Sequence, residues 1–286
     1  MTITNTQWQC GSRVLDLTAP VVMGVLNVTP DSFSDGGRFV ERASAVAHAR
    51  RMIAEGAAII DIGGESTRPG AAPADPGEEL ERVIPVIEAV RGESPVFISI
   101  DTSKSEVMRA AVAAGADIIN DVRALTEPGA LEAAAASNAG LCLMHMLGDP
   151  RTMQDAPHYD NVVEDVSTFL AARMRACRDA GVDTARLTID PGFGFGKTAA
   201  HNLALLKNLT ALEALGVPLV VGLSRKSMLA KITGRPVESR IFGSVALAAI
   251  AVLNGARIVR AHDVAATWDA VRVAAAVGKG DQFDGT

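Results

Sequence analysis

The chain has 286 residues, of which 48% are hydrophobic and 21% are charged, so it can bury a substantial core. Its net charge of −6, without any basic run, argues against a nucleic-acid-binding surface but leaves room for a locally positive pocket. Aromatic residues make up only 4% of the chain, so small aliphatic side chains must do the packing, which favours an α/β architecture over a β-sandwich.

The spacing of the cysteines and the length of the apolar runs indicate the cellular compartment of the protein. The three cysteines lack the C-x-x-C spacing of a zinc knuckle and do not suggest a disulfide framework. The N-terminal residues lack the pattern of a signal peptide, and no apolar run approaches the ~18 residues of a membrane span. We therefore expect a soluble, unprocessed protein in the cytoplasm that binds neither nucleic acid nor membrane.

Strand and helix patterns alternate along the whole chain. After a capping strand at 13–18, we predict strands at 21–28, 58–62, 96–100, 117–119, 141–145, 186–190, 219–223 and 257–260. Helical patterns follow near 40–55, 78–91, 104–114, 128–139, 160–180, 200–215, 239–254 and 264–277.

Eight strand–helix pairs in ~250 residues predict an α/β fold, a (β/α)₈ TIM barrel with a short N-terminal capping strand or hairpin. A doubly wound open sheet is the main alternative. No Pro- or Ser-rich linker interrupts the series, so we expect a single domain over 1–286 with the barrel at about 14–277.

A polar or charged group follows every predicted strand. In chain order these groups are Asn27, Asp61, Asp101, Asn120, His145, Asp190, Ser224 to Lys226, and Arg260 with His262. Any one of them could be a cap or a solvated turn. All eight positions together favour a catalytic face, because a barrel concentrates its chemistry at the C-terminal ends of its strands.

Three predicted loops at this face are unusually long. They span 29–39, 63–77 and 146–159, whereas most such connections have ~2–6 residues. The second is rich in Gly and Pro and contains Ser66, Thr67 and Arg68. We expect it to carry these side chains to a substrate, although a merely flexible loop is the alternative.

The stretch T-I-D-P-G-F-G-F-G-K at 188–197 combines a carboxylate with glycines. Asp190 ends an apolar strand, and the glycines after it let the backbone approach a ligand closely. An ordinary Asp-Pro-Gly turn is the simpler interpretation of this stretch alone.

Nucleotide and zinc motifs explain the chain poorly. It has no G-x-x-x-x-G-K-[ST] loop, and no H-x-H pair ends a strand. Asn27 and Asp101 supply oxygen donors for a Mg²⁺ site that substrate phosphates would complete. Lys226, Arg260 and His262 would suit an anionic leaving group near Asn27, and the opposed acids and amides would suit a nitrogen-rich heterocycle.

Seven ordered motifs resemble those of the dihydropteroate synthases, the folate-pathway enzymes that sulfonamides target. They are M-G-V-L-N-V-T-P-D-S-F-S-D-G-G at 23–37, G-G-E-S-T-R-P-G at 63–70, I-S-I-D-T-S-K at 98–104, I-I-N-D-V at 118–122, D-P-G-F-G-F-G-K at 190–197, G-L-S-R-K-S at 222–227 and R-A-H-D-V at 260–264. In two places the chain departs from the family pattern, with Leu147 in place of a polar Gln and Ile100 in place of Val.

The resemblance implies that 6-hydroxymethyl-7,8-dihydropterin diphosphate condenses with 4-aminobenzoate to give 7,8-dihydropteroate and diphosphate. The implied pterin residues are Asp101, Asn120, Asp190, Lys226, Arg260 and Met144. The implied diphosphate residues are Asn27, Arg260 and His262, with Asn27 as a Mg²⁺ ligand. The implied aminobenzoate residues are Thr67, Arg68, Pro69, Phe193 and Ser224. Asp101, Lys226, Arg260, Asp35 and Arg68 would be catalytic.

The resemblance also implies a mechanism and an assembly. Diphosphate would depart, assisted by Mg²⁺ and cations, and the arylamine would attack the pterin cation, whose charge Asp101 offsets. Family members resemble homodimers built through C-terminal helices. The alternatives are a pterin-binding methyltransferase that uses methyltetrahydrofolate and a non-catalytic pterin-binding paralogue. The motifs S-T-R-P-G and S-R-K-S argue against the first, and an intact diphosphate end argues against the second.

Overall fold

Eight parallel strands that close into a barrel position every other part of the molecule. A computed structural model of the chain describes residues 6–29, 37–65, 74–149 and 152–280. Within these ranges the chain forms ten strands and nine α-helices. The predicted TIM barrel is confirmed, and the open-sheet alternative is wrong, because the last strand of the barrel pairs with the first strand of the barrel.

The elements follow one another in simple alternation. The strands are β1 Gln7–Cys10, β2 Arg13–Asp16, β3 Val21–Asn27, β4 Ala57–Gly63, β5 Phe97–Asp101, β6 Ile118–Asp121, β7 Gly140–Met144, β8 Leu187–Asp190, β9 Leu219–Gly222 and β10 Ala256–Ala261. The helices are α1 Gly37–Ala54, α2 Pro76–Glu93, α3 Ser105–Ala113, α4 Ala130–Ala136, α5 Val162–Asp179, α6 Ala199–Lys207, α7 Ser227–Thr233, α8 Ile241–Leu253 and α9 Val264–Lys279.

Two layers fill the inside of the barrel. Side chains alternate between the two faces of a strand, so every second residue of β3–β10 points inward. The lower layer is apolar and includes Met23, Ile59, Ile118, Val220 and Ile258, which form one buried cluster. The inward positions further along the same strands are polar. The barrel therefore has an apolar floor and a polar mouth, where the mouth means the C-terminal ends of the eight strands.

The β1–β2 hairpin closes the lower end of the barrel. Trp8 is fully buried, packs in the apolar cluster of the floor, and donates from Nε1 to the carbonyl oxygen of Arg186 at 2.9 Å. Gly140 of the barrel packs against the hairpin, and a Cβ there would come within 2.7 Å of Cys10 and 2.9 Å of the Trp8 ring. The expected capping element is thus a two-stranded hairpin that fits tightly against the barrel.

The structure corrects two predicted helices. The helix expected at 200–215 ends at Lys207, and a 3₁₀ segment, Leu209–Leu215, continues to the next strand. An additional helix, α7, precedes the one predicted at 239–254. Both segments are short, and short helices leave only a weak periodic signal in the sequence.

No described helix combines the length and apolar content needed to cross a membrane. The single-domain organisation of the whole chain stays a prediction.

Candidate active site

The polar mouth is formed by inward-facing residues at the ends of neighbouring strands. Asn27 pairs in register with Gly63, Gly63 with Asp101, and Asp101 with Asn120. On the other side Met144 pairs with Asp190. Parallel pairing therefore assembles one ring from residues that lie far apart in the sequence.

Arg260 lies between two carboxylates in this ring. Its Nε donates to Oδ2 of Asp61 at 2.6 Å, and its Nη2 donates to Oδ2 of Asp101 at 2.7 Å. Burial opposes the charge of the guanidinium, but the two acids outweigh burial and hold the pKa of Arg260 above its ordinary value. A planar fork of donors suits this bridging role, which a lysine could not reproduce.

Asp61 is a site residue to which the sequence analysis gave no role. It is fully buried, and its Oδ2 also accepts from Nδ2 of Asn120 at 3.2 Å. Its Oδ1 has no hydrogen-bond partner among the residues that the structure describes. The signal was present in the sequence, because a carboxylate interrupts the apolar run A-A-I-I-D-I-G at an inward position.

Asp101 has a perturbed acidity. Burial raises the pKa of its carboxyl, Arg260 opposes that rise, and the negative charge of Asp61 adds to it. A carboxylate that is hard to keep ionised responds strongly to a new positive charge beside it. Such a group suits a position where cationic charge develops on a substrate.

Asp190 and Lys226 lie across the mouth from this ion-paired group. Oδ1 of Asp190 accepts from the backbone N–H of Gly192 at 2.7 Å. Burial raises the pKa of Asp190 to about 6, and burial lowers the pKa of Lys226 to about 8. The Lys226 ammonium lies 4.2 Å from the centre of the Phe195 ring, a cation–π contact that fixes its direction.

The two phenylalanines of the glycine-rich loop have different positions from those predicted. Phe193 is 1% exposed and packs in the core between barrel and helices, so it offers no surface to a ligand. Phe195 is partly exposed and turns its ring to Lys226. The burial of Phe193 does not fit the expectation that it reaches a substrate, whereas Phe195 has an exposed face. Two residues that are two positions apart would point to the same side of an extended strand. The left-handed glycines at 192, 194 and 196 turn the chain instead and separate the two rings, which the sequence pattern does not show.

His262 and Ser224 form a second polar pair at the mouth. The Ser224 hydroxyl oxygen accepts from the backbone N–H of His262 at 3.2 Å and lies 3.0 Å from its Nδ1. Burial, followed by the charge of Arg260, lowers the pKa of His262 to about 4, so the ring is neutral near pH 7. The hydroxyl can then donate to Nδ1, which leaves the proton on Nε2. Ser224 was predicted on the aminobenzoate side, and it here orients His262.

Four predicted site residues lie outside the described residues, namely Asp35, Thr67, Arg68 and Pro69. Of the other predicted residues, Met144 is buried, and a Cβ on Gly192 would lie 3.3 Å from its Cγ. A recess of about 510 Å³ adjoins the mouth beside Asn27 and His262.

The donor set around Gly63 is compatible with Mg²⁺. A Cβ at this glycine would lie 3.9 Å from Oδ1 of Asn27 and 3.8 Å from Oδ2 of Asp101, so both oxygens face one small space. Amide and carboxylate oxygens are ligands that Mg²⁺ prefers. The described residues contain no group of three His, Cys, Asp or Glu side chains that could hold a metal ion. An ion bound here would therefore need ligands from phosphate groups or water.

Known proteins share both the sequence and the fold. The sequence profile of a family described as pterin binding enzyme matches residues 23–262. The dihydropteroate synthase of Escherichia coli K12 is 53% identical over 259 residues, which cover 91% of this chain and 92% of that protein.

Two structures of the Xanthomonas albilineans dihydropteroate synthase are similar throughout. The structure with 4-aminobenzoic acid has a TM-score of 0.90 and 53% identity, and it covers 96% of this chain and 98% of that chain. The structure with 7,8-dihydropteroate has a TM-score of 0.87 and 51% identity, and the coverage is 95% and 98%.

Replacing Asp190 by Asn should stabilise the protein at pH 8 but not at pH 4. The folded-state pKa is raised from 3.8 to about 6, so the wild-type side chain contributes stability below 3.8 that is lost as the pH rises through about 6. Asn does not titrate, so the variant's advantage should grow by roughly 3 kcal/mol between pH 4 and pH 8. Urea unfolding at both pH values measures it.

Asp155→Asn, on an exposed residue, is the matched control and should stay within about 0.5 kcal/mol of wild type at both pH values. An Asp190→Asn variant whose advantage did not depend on pH would contradict the assigned origin of the shift.

Proposed function

The chain belongs to the dihydropteroate synthases, a family of pterin-binding enzymes, and from this membership we propose how its residues share the reaction. The enzyme joins 6-hydroxymethyl-7,8-dihydropterin diphosphate to 4-aminobenzoate and releases 7,8-dihydropteroate and diphosphate. The observation that carries our assignment is Arg260, which two carboxylates hold at the centre of the mouth.

The pterin ring binds among Asp101, Asn120, Asp190, Lys226 and Arg260, with Met144 as an apolar wall. A pterin has amino and ring N–H donors along one edge, and a carboxylate is the natural acceptor for them. Asp190 suits this edge. The backbone N–H of Gly192 orients the carboxylate by donating to Oδ1, and Oδ2 faces Gly222, which has no side chain to fill the space beside it. The flat guanidinium of Arg260 covers a ring face.

The diphosphate binds at Asn27, Arg260 and His262. A neutral His262 with its proton on Nε2 donates a hydrogen bond to a phosphate oxygen. The nearby cations offset the charge that the leaving group gains. A bound Mg²⁺, held by Asn27 and phosphate oxygens, would withdraw electron density from the leaving oxygen.

The 4-aminobenzoate binds on the side of Phe195 and Lys226. Its apolar ring suits the exposed face of Phe195, and its carboxylate requires a cation. We assign that cation to Arg68, and we assign Thr67, Pro69 and Ser224 to the same substrate, as the family resemblance implies. Phe195 takes the position that the sequence analysis gave to Phe193.

The reaction needs no covalent bond to the enzyme. The bond between the pterin methylene carbon and the diphosphate oxygen breaks, and its electron pair leaves with diphosphate. The cation that remains on the pterin is delocalised over the ring, and its charge favours the ionised form of Asp101. The amine of 4-aminobenzoate then forms the new C–N bond and releases a proton. Asp35 and Arg68 complete the proposed catalytic set.

Diphosphate release should require both substrates. A coupled phosphate assay should show turnover only when pterin diphosphate and 4-aminobenzoate are present together. Arg260→Lys keeps the charge but cannot bridge both carboxylates, so its kcat/KM should fall at least about 100-fold. Arg50→Lys, at an exposed ion pair with Glu93, is the control and should be unchanged. Release of diphosphate at the full rate without 4-aminobenzoate would refute the assignment.

Mg²⁺ should strengthen diphosphate binding through Asn27. Calorimetry should show that wild-type affinity for inorganic diphosphate falls at least about tenfold in EDTA, because phosphate oxygens and Asn27 share the ion. Asn27→Ala should lose most of this dependence. Asn208→Ala, whose side chain only bonds the carbonyl of Ala204, should keep it. Equal affinity with and without Mg²⁺ in the wild type would count against the metal.

The enzyme forms a homodimer through α8 and α9. These helices pack side by side and expose large apolar side chains. Exposed fractions are 72% for Phe242, 51% for Leu253, and 64% for both Val273 and Val277. An apolar surface of this kind on a water-soluble protein favours self-association. The cytoplasmic location expected from the sequence stays a prediction.

Sedimentation velocity tests the dimer. Wild type should sediment as a dimer, and Val273→Glu combined with Val277→Glu should produce monomers, because two buried unpaired charges are costly at an interface. Val14→Glu, at a 49% exposed position of the hairpin, should remain dimeric. A monomeric wild type would refute the proposal.

A further inference from the structure

The loop between β8 and α6, residues 191–198, is held by hydrogen bonds from its backbone to side chains. Gln154 Nε2 donates to the carbonyl of Gly194 at 2.7 Å, and the Tyr159 hydroxyl donates to the carbonyl of Gly196 at 2.9 Å. The backbone N–H of Gly194 donates to Oδ1 of Asn202 at 2.8 Å. A loop that joins two elements does not need so many partners unless its conformation matters.

Lys197 lies at the centre of these contacts. Its side chain is 2% exposed, and Nζ donates to the carbonyl oxygens of Gly192 at 3.0 Å and Phe195 at 3.1 Å. Nζ also lies 2.8 Å from Nδ1 of His145 and 3.4 Å from the carbonyl of that residue. The hydrogen bonds recorded for this buried ammonium go only to neutral acceptors.

The electrostatics agree with this geometry. Burial lowers the pKa of Lys197 to about 7. Burial, followed by the charge of Lys197, lowers the pKa of His145 to about 3, so the imidazole is neutral. Its Nδ1 can then accept a hydrogen bond from the Lys197 ammonium. The charge of Asp190 offsets only part of the effect of burial on Lys197, and no carboxylate is among the hydrogen-bond partners of Nζ. Holding a buried cation in this way is costly, which points to a role that an apolar side chain could not serve.

Two of the carbonyls that Lys197 binds, those of Gly192 and Phe195, belong to residues beside ligand-facing groups. The backbone N–H of Gly192 donates to Oδ1 of Asp190 at 2.7 Å, and the carbonyl that Lys197 holds lies on the other side of the same Cα. Holding that carbonyl restricts the backbone rotation of Gly192 and so limits how far its N–H, and the carboxylate bonded to it, can turn. The carbonyl of Phe195 anchors the backbone of that residue, whose ring lies 4.2 Å from the Lys226 ammonium. One ammonium thus orients both arms of the loop.

The glycines leave the loop no space to adjust. Gly192 has a φ of 68°, and a Cβ there would lie 1.8 Å from the carbonyl oxygen of His145. A Cβ on Gly196 would lie 2.3 Å from the carbonyl oxygen of Leu147. The loop therefore packs directly on the backbone that follows β7, and the Lys197 ammonium fills the position between them.

We propose that Lys197 is a positioning residue for substrate binding, which fixes the backbone at Gly192 and Phe195 so that Asp190 and Lys226 face the pterin. The proposal rests on the assignment of Asp190 to the pterin. Lys197 itself does not touch the substrate.

Replacing Lys197 by Met tests this role, and Arg186→Met is the matched control. Arg186 is also a buried cation that donates to backbone carbonyls, those of Ala134 and Ala139, both at 2.9 Å. It precedes β8, whereas Lys197 follows that strand, so the two cations lie at opposite ends of the barrel. Both variants lose comparable contacts, but only one lies beside Asp190.

Lys197→Met should weaken binding of pterin diphosphate at least about tenfold by calorimetry and raise its KM similarly, with a smaller effect on kcat. Arg186→Met should lower the midpoint temperature of unfolding while leaving both binding constants within about twofold of wild type. If both variants lose stability and both keep wild-type affinity, Lys197 is only structural and the proposal is wrong.

Two further variants keep the result decisive. Asp190→Asn should weaken pterin binding. If Asp190→Asn keeps wild-type affinity for pterin diphosphate, the assignment of Asp190 is wrong. If Asp190→Asn loses affinity but Lys197→Met keeps it, only the Lys197 proposal is wrong. If Lys197→Met does not fold, Lys197→Arg replaces it, since a planar guanidinium keeps the charge but cannot match the same acceptors. It should weaken binding at least about threefold, and wild-type affinity would overturn the proposal.

Discussion

The ion pairs of Arg260 with Asp61 and Asp101 are the constraint on which the mouth of the barrel depends. Charges inside a closed barrel persist only if they compensate one another, because the penalty for an unpaired buried ion is large. Arg260 on β10 meets this condition by reaching Asp61 on β4 at 2.6 Å and Asp101 on β5 at 2.7 Å, which lie two and three strands away around the barrel. Asn120 then completes the group by donating to Asp61. The arrangement holds a cation and an acid in fixed positions before any substrate binds.

The alternation of side chains along each strand separates stability from chemistry. In β3 the inward residues run from Met23 through Val25 to Asn27, and in β10 they run from Ile258 to Arg260, so each strand contributes first to the apolar floor and then to the mouth. The same short segment therefore folds and functions through different residues. This explains how a chain with few aromatic residues can combine a tightly packed interior with several buried charges.

Much of the architecture was predictable because its signals are local. Long apolar runs mark β3 and β10, and a polar residue at the end of each run marks the mouth, so Asn27 and Arg260 could be assigned from sequence. Asp61 was not assigned, because its partner Arg260 is 199 positions away and pairing across that distance leaves no local trace. Phe193 and Phe195 were confused because glycines remove the rule for side-chain direction. The strand around Trp8 is too short to show a period.

Among the described residues, the hairpin covers the lower end of the barrel. Trp8 and the apolar floor are fully buried beneath Asp61 and Ser99, so these two polar groups face the mouth rather than the lower end. A flat ring bound across the mouth would cover both groups. In the binding mode proposed above, the first substrate would exclude water from the interior beneath it, and the attraction of Asp61 and Asp101 for Arg260 would become stronger before the leaving group departs.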